Sequence, residues 1–232
     1  AYADRAYYMG DSDFINVPVE GLLNDSYLNQ RGKIIDLNHY SKSITYGIPP
    51  GAEDFEKNID ISKSSTSHFV IVDKEGNAVS MTSTVEGPFG SHLMAGGFIL
   101  NNELTDFSML PELNGRKIAN RVEPNKRPMS SMTPTIIFKD KNLFALTGSP
   151  GGTSIINYVT KSVLGLIDWG LDPSEVTELP HYMNRGNYTE LEKNTVLENL
   201  ATELESLGHP IKIKNKRSGL HIALKKDNVY IV

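Results

Sequence analysis

The stretch from His68 to Thr84 constrains this chain more than any other. His68-Phe69-Val70-Ile71-Val72-Asp73 is a β-rich run, Lys74-Glu75-Gly76-Asn77 is a turn cluster, and Ala78-Val79-Ser80-Met81-Thr82-Ser83-Thr84 is a second run. Two such runs joined by a short Gly-containing loop predict a β-hairpin, with Thr66 at its leading edge. Further strands are expected at Gly97 to Leu100, Thr135 to Lys139 and Leu143 to Thr147, the last two joined by an Asp140-Lys141-Asn142 turn. Together they suggest an antiparallel sheet.

Helical periodicity appears after that sheet. Ile155, Ile156, Val159, Val163, Leu166 and Ile167 form an apolar stripe that Gly170 ends. Asp172-Pro173 reads as the cap and first position of a second helix, and a third runs from about Thr195 to Leu207 before Gly208. Strands follow near Ile211 to Lys214, Leu220 to Leu224 and Val229 to Val232. Strands, then helices, then strands imply a layered α+β fold rather than a βαβ wind. Residues 1 to about 31 read as short helices interrupted by Gly10 and Pro18, and 38–65 as a loop or linker rich in Ser, Lys, Gly and Pro.

Composition narrows the chemistry. The chain has no cysteine, which excludes disulfides, a thiolate nucleophile and zinc-thiolate sites, so a covalent nucleophile must be Ser, Thr, Lys or a carboxylate. The 23 basic residues are scattered and the net charge is -5, which argues against a nucleic-acid surface; the Lys212 to Arg217 and Lys225-Lys226 stretches read as solvated faces. No window approaches 18 apolar residues, so no membrane span is expected in this segment. No His cluster has metal-ligand spacing, and no metal or cofactor is expected. The compartment is left unassigned, because the sequence opens at Ala1 with no leader pattern.

Four short stretches concentrate polar groups beside strands: Ser64-Ser65-Thr66-Ser67-His68, Asn101-Asn102-Glu103-Leu104-Thr105-Asp106, Ser130-Ser131 and Gly148-Ser149-Pro150-Gly151-Gly152. Each also has an ordinary reading as a loop, turn or cap. Gly151-Gly152 before a helix can offer backbone N–H groups to an anion. Without the Lys and spacing of a phosphate loop, an oxyanion is the better functional match.

Five blocks in order carry a resemblance: residues 66–80, Phe89-Gly90-Ser91, Ile99 to Ser108, Pro124 to Thr135 and Thr147 to Gly152. They resemble the small subunit of the gamma-glutamyltranspeptidases, and Ala1-Tyr2-Ala3-Asp4-Arg5 with Gly10-Asp11 resembles the end of that family's large subunit. The resemblance implies the four-layer αββα sandwich of N-terminal-nucleophile hydrolases. It divides the chain into 1–65, the end of the large subunit with a linker, and 66–232, the catalytic region, together one domain and a piece of a longer protein.

The resemblance further implies self-cleavage at Ser65-Thr66, with Thr66 then the nucleophile and its own α-amine the base. Thr84 is expected beside it and His68 as a support. Gly151 and Gly152 are expected as oxyanion donors, Glu103 and Asp106 at the substrate α-ammonium, and Ser130 and Ser131 at its α-carboxylate. Glu86 stands where transpeptidases carry Asn, which adds a third carboxylate and resembles acylase-related branches. The 109–123 segment is short and lacks a covering tyrosine, and the family's carboxylate-binding arginine lies outside this sequence. The expected partners are a small gamma-glutamyl or related amide and the remainder of the large subunit, and a homo-oligomer is compatible with both. Cleavage of gamma-glutamyl amides such as glutathione is the expected activity; the alternatives are an acylase of glutaryl-type or β-lactam side-chain amides, and a non-catalytic relative.

Overall fold

The computed structural model describes residues 1–41, 43–59, 65–216, 218–227 and 229–232; Ser64, Arg217 and part of the expected 38–65 linker lie outside them. In chain order the elements are α1 (Tyr2–Tyr8), α2 (Val19–Leu22), α3 (Asp25–Lys33), β1 (Thr66–Val72), β2 (Ala78–Thr84), β3 (Met94–Ala95), β4 (Phe98–Ile99), β5 (Glu112–Leu113), β6 (Arg116–Lys117), β7 (Thr135–Lys139) and β8 (Asn142–Gly148). Then come α4 (Ile155–Ile167), α5 (Pro173–Glu178), β9 (Tyr182–Asn184), β10 (Thr189–Glu192), α6 (Ala201–Ser206), β11 (Ile211–Lys214), β12 (His221–Lys226) and β13 (Val229–Ile231). Among the described residues no helix is long and apolar enough to cross a membrane.

The chain divides into two compact units. The first comprises residues 1–61, 104–130 and 182–214, and the second residues 62–103, 131–181 and 215–232.

In the first unit, Asn24 caps α3 by accepting from the Tyr27 N–H at 3.2 Å, as a short polar side chain does at a helix start. Ile15, Phe55 and Ala119 form a small core with Val17 against it. Glu56 makes an isolated parallel bridge to Ile118, and the Arg116 guanidinium donates to Glu56 and Asp54, at 2.5 and 2.9 Å. The β9-β10-β11 sheet departs from the expected layering. β10 pairs antiparallel with β9 but parallel with β11, in register Thr189↔Ile211 to Glu192↔Lys214. A parallel pair needs a crossover, here the Thr195-capped 3-10 turn and α6, so this one connection is βαβ. The expected third helix is accordingly split into a 3-10 turn over Val196–Leu200 and α6.

The second unit holds the hairpin and an antiparallel four-stranded sheet of order β13-β12-β8-β7. The Asp172-Glu175 capping box fixes the start of α5, with the Glu175 carboxylate accepting from the Asp172 N–H at 2.8 Å and Pro173 in the first turn. Tyr158, Leu166 and Val176 from α4 and α5 meet Ala145, Ile222 and Leu224 of the sheet in one buried cluster. Each such large apolar side chain contributes roughly 1.5–3 kcal/mol on burial. The two helices approach so closely that a Cβ on Gly165 would come within 2.8 Å of Val176 Cγ2.

The hairpin lies against β8 and β12. Thr147 of β8, wholly buried, ties two neighbours at once: its hydroxyl pairs with Ser162 of α4 at 2.9 Å, and its carbonyl accepts from Ser80 of β2 at 3.1 Å. The unit is thus hairpin, sheet and helices in succession. It has the expected mixed helix and sheet content.

Candidate functional site

The hairpin register decides what stands beside Thr66. Pairing runs Thr66↔Thr84, His68↔Thr82, Val70↔Ser80 and Val72↔Ala78. Side chains two apart share a strand face, so these eight residues line one side. Phe69, Ile71, Val79 and Met81 line the opposite side and are exposed.

At the open end of that ladder the Thr66 hydroxyl donates to Thr84 Oγ1 at 3.3 Å, and the Thr84 hydroxyl donates to the Ser65 carbonyl oxygen at 2.8 Å. The Glu86 backbone N–H donates to the same Thr84 oxygen at 2.9 Å. Thr84 therefore makes three hydrogen bonds, the most a hydroxyl can. Its proton points at the carbonyl of the Ser65-Thr66 peptide, and its lone pairs hold the Thr66 hydroxyl and Glu86. Chemically this arrangement offers a nucleophilic oxygen next to a polarised amide carbonyl.

Glu86 adopts φ 72°, an unusual backbone for a residue with a side chain, and is buried. Its carboxylate oxygen lies within 4.8 Å of that of Glu103. Two carboxylates this close repel when both are ionised, and a cation between them relieves the cost. Gly87, next in sequence, donates its N–H to Asn102 Oδ1 at 2.8 Å, which holds the two loops together.

His68 is buried, with Nδ1 2.8 Å from Thr82 Oγ1 and no hydrogen-bond partner for Nε2 among the described residues. Burial, with a smaller contribution from His221 at 6.1 Å between ring centroids, pushes its pKa down to about 4. A neutral ring follows at ordinary pH. The ring faces Gly148: a Cβ there would lie 2.1 Å from His68 Cε1 and 2.4 Å from Nε2. Only a glycine lets β1 and β8 close to this distance.

Three residues beyond Gly148, Gly151 (φ 139°) and Gly152 (φ 57°) form the turn into a 3-10 segment and then α4. Both angles lie where L side chains are strained. The strand that begins at Thr66 and the glycine turn are thus linked through His68 and Gly148. Ser131, also in this unit, uses its carbonyl to accept from the Thr133 hydroxyl at 2.8 Å.

Asp106 and Ser130 belong to the first unit. Asp106 ends the 3-10 turn Glu103–Asp106, and its carbonyl accepts from Asn120 Nδ2 at 2.7 Å. Ser130 follows Met129, whose N–H donates to Asn120 Oδ1 at 2.9 Å. Arg127, three residues earlier, clamps buried Asp11 through its backbone N–H (2.9 Å), Nε (3.0 Å) and Nη2 (2.8 Å). These bonds hold the Asp11 carboxyl well below the usual range. Sequence reasoning missed Asp11, Asn120, Thr82 and Gly148 as supports. Hairpin register could have found Thr82 opposite His68; nothing in the sequence marks Asn120.

The description of the gamma-glutamyltranspeptidases matches residues 1–230, essentially the whole chain. The chain belongs to the gamma-glutamyltranspeptidase family. Within it, the chain is 39% identical over 232 residues to a Bacillus subtilis glutathione hydrolase proenzyme, covering 94% of this chain and 39% of the relative. To the Escherichia coli glutathione hydrolase proenzyme it is 42% identical over 189 residues, 78% of this chain and 31% of that protein. The chain therefore spans about a third to two fifths of the length of these gamma-glutamyltranspeptidase relatives. Among solved structures, a Helicobacter pylori gamma-glutamyltranspeptidase superimposes with a TM-score of 0.61 at 34% identity, covering 71% of this chain and 94% of that one.

Proposed function

We propose that the chain carries the catalytic region of a self-processing gamma-glutamyl amidase that attacks its substrate with Thr66. The observation that carries this reading is the triangle of Thr66, Thr84 and the Ser65 carbonyl, at 3.3 and 2.8 Å. In processing, Thr66 Oγ1 bonds to the Ser65 carbonyl carbon while Thr84 donates to the oxygen that gathers negative charge. The C–N bond to Thr66 then breaks, nitrogen takes up the proton, and water hydrolyses the resulting ester. Ser65 becomes a carboxylate terminus and Thr66 gains a free amine.

That amine has an ordinary pKa of ~8 and can accept the proton of its own hydroxyl, so nucleophile and base reside in one residue. Attack on a substrate amide forms an acyl ester on Thr66 and expels the amine; water or a second amine releases the acyl group. Gly151 and Gly152 supply N–H groups to the oxyanion, an interaction worth about 3 kcal/mol of barrier where single donors have been removed elsewhere. Neutral His68 holds the hairpin against β8. Glu86, Glu103 and Asp106 receive the substrate α-ammonium, and Ser130 and Ser131 its α-carboxylate, a donor set suited to a zwitterion.

Residues 1–65 and 66–232 are, in this reading, the large-subunit end and the catalytic region of one αββα sandwich. The remainder of the large subunit covers the exposed Phe69, Ile71, Val79 and Met81 face of the hairpin, supplying the fourth layer. Glutathione hydrolase relatives support the gamma-glutamyl substrate. A Pseudomonas acylase proenzyme, 30% identical over 213 residues, supports an acylase as the competing class, for which glutaryl-type amides are the substrate to test.

The deciding experiment uses the complete protein and its Thr66→Ala variant. Intact mass should show two pieces parted at Ser65/Thr66 in the parent alone, and the parent alone should release product from a gamma-glutamyl anilide. Turnover by the Thr66→Ala protein would refute the nucleophile assignment; release from a glutaryl anilide only would transfer the substrate to the acylase class.

A further inference from the structure

The proposed head-group contacts come from two separate segments, the turn ending at Asp106 and the loop reaching Ser130. One side chain in the first unit joins them. Asn120 is wholly buried, and both ends of its amide are used: Nδ2 donates to the Asp106 carbonyl at 2.7 Å, and Oδ1 accepts from the Met129 N–H at 2.9 Å. Its own carbonyl accepts from the Ser108 N–H at 2.9 Å, which gives the Asp106 segment a second tether. From Asn120 to the residue expected at the substrate cation there is one hydrogen bond. To the residue before the first hydroxyl expected at the substrate anion there is also one.

The flanks of Asn120 leave it little freedom. Ile118 and Ala119 are buried, Lys126 Nζ returns to the Ala119 carbonyl at 2.8 Å, and Arg127 is clamped on Asp11. The loop from 120 to 130 is therefore pinned at Lys126, Arg127 and Met129. An amide is the group that fits between a carbonyl and an N–H, because it is both donor and acceptor without charge. A carboxylate of the same shape would keep the Met129 bond and face the Asp106 carbonyl oxygen with a second acceptor. A buried acceptor without a donor is costly, so the Asp106 segment would move away.

We propose that Asn120 is a positioning residue for substrate specificity: it sets the spacing between the acidic and hydroxyl contacts so that they match the ammonium and carboxylate of one gamma-glutamyl head group. This rests on the head-group roles proposed above for Asp106 and Ser130. A glutaryl amide keeps the carboxylate but has no α-ammonium, so it makes one of the two contacts and does not use the spacing between them. The consequence is a selectivity effect distinct from general loss of structure.

The test compares the complete protein with Asn120→Asp, using a gamma-glutamyl anilide and a glutaryl anilide, and follows self-cleavage by intact mass. The expected result is about a tenfold rise in KM for the gamma-glutamyl anilide with kcat little changed. The preference for gamma-glutamyl over glutaryl should fall by a similar factor, and cleavage before Thr66 should keep its rate. Asn120→Ser, which cannot span both partners, should shift the preference the same way and serves if the aspartate variant does not accumulate. An unchanged preference overturns the proposal, as does an equal fall in both substrates together with slowed self-cleavage. Asp106→Asn and the double Ser130→Ala, Ser131→Ala variant separate the two layers of reasoning: the first should lower the preference for gamma-glutamyl, and the second should raise KM for both anilides, since both carry the carboxylate. If neither effect appears, the head-group reading fails; if both appear and the Asn120 variants leave the preference unchanged, only the role of Asn120 fails.

Discussion

Replacing Thr84 by Val removes one hydroxyl and nearly preserves side-chain shape, which isolates the proton aimed at the Ser65 carbonyl. Three hydrogen bonds disappear, but they do not weigh equally on the rate. The 3.3 Å contact from Thr66 is long and weak, and the Glu86 N–H bond bears mainly on loop stability. The 2.8 Å bond to the carbonyl strengthens as the oxygen becomes an oxyanion, so its loss falls on the transition state. Single oxyanion donors are worth about 10²–10³ in rate. Ser65 is exposed, so water partly replaces the missing donor, and about a hundredfold slowing of self-cleavage is expected. The assay is a time course of intact mass on freshly purified complete protein, with Thr84→Ser as the variant that keeps the hydroxyl and much of the rate. A Thr84→Val protein that matures within about twofold of the parent refutes the role of this hydroxyl, since even an ordinary neutral hydrogen bond is worth more than that.

Gly148→Ala forces a methyl into the His68 ring and should lower stability by about 1–3 kcal/mol, read as a lower Tm, with self-cleavage slowed as β1 is pushed from β8; an unchanged Tm would mean the ring moves aside freely. The pH dependence of stability follows from two buried histidines, His68 held down to about 4 and His181 to about 3, both chiefly by burial. Below the ordinary value of 6.5 the unfolded chain takes up protons that the folded one refuses, so stability should fall as pH drops from about 6.5 toward 4. Thermal unfolding across that window, compared with a His68→Gln variant, should show a shallower fall in the variant; identical slopes would remove His68 from the account.

Much of the site was legible because a short hairpin loop leaves little choice of register. Once Lys74 to Asn77 form the turn, Thr66 must sit across from Thr84, and His68 must share its face. Local helix signals also carried through: Asp172-Pro173 and the stripe from Ile155 to Ile167 became α5 and α4. β9 and β10 were not legible. Glu190 and Glu192 look like loop residues, yet Glu190 is buried, because Lys214 Nζ on the neighbouring parallel strand meets its carboxylate at 2.7 Å. A buried charge such as Glu190 is tolerated in a strand because a partner meets it, here from a segment distant in sequence, and that information is not local. Asn120 escaped for a related reason. Both partners of its amide are backbone groups, which every residue carries.

The composition of the first unit bears on what a cut before Thr66 does to the molecule. Asp11, Asp54 and Glu56 lie on one side of that bond, while Arg127, Arg116 and Ile118 lie on the other. Severing the backbone would leave two polypeptides still interlocked within a single folded body. Dilution alone would not part them; the proposed nick would free the Thr66 amine while leaving the first unit tied together across the cut.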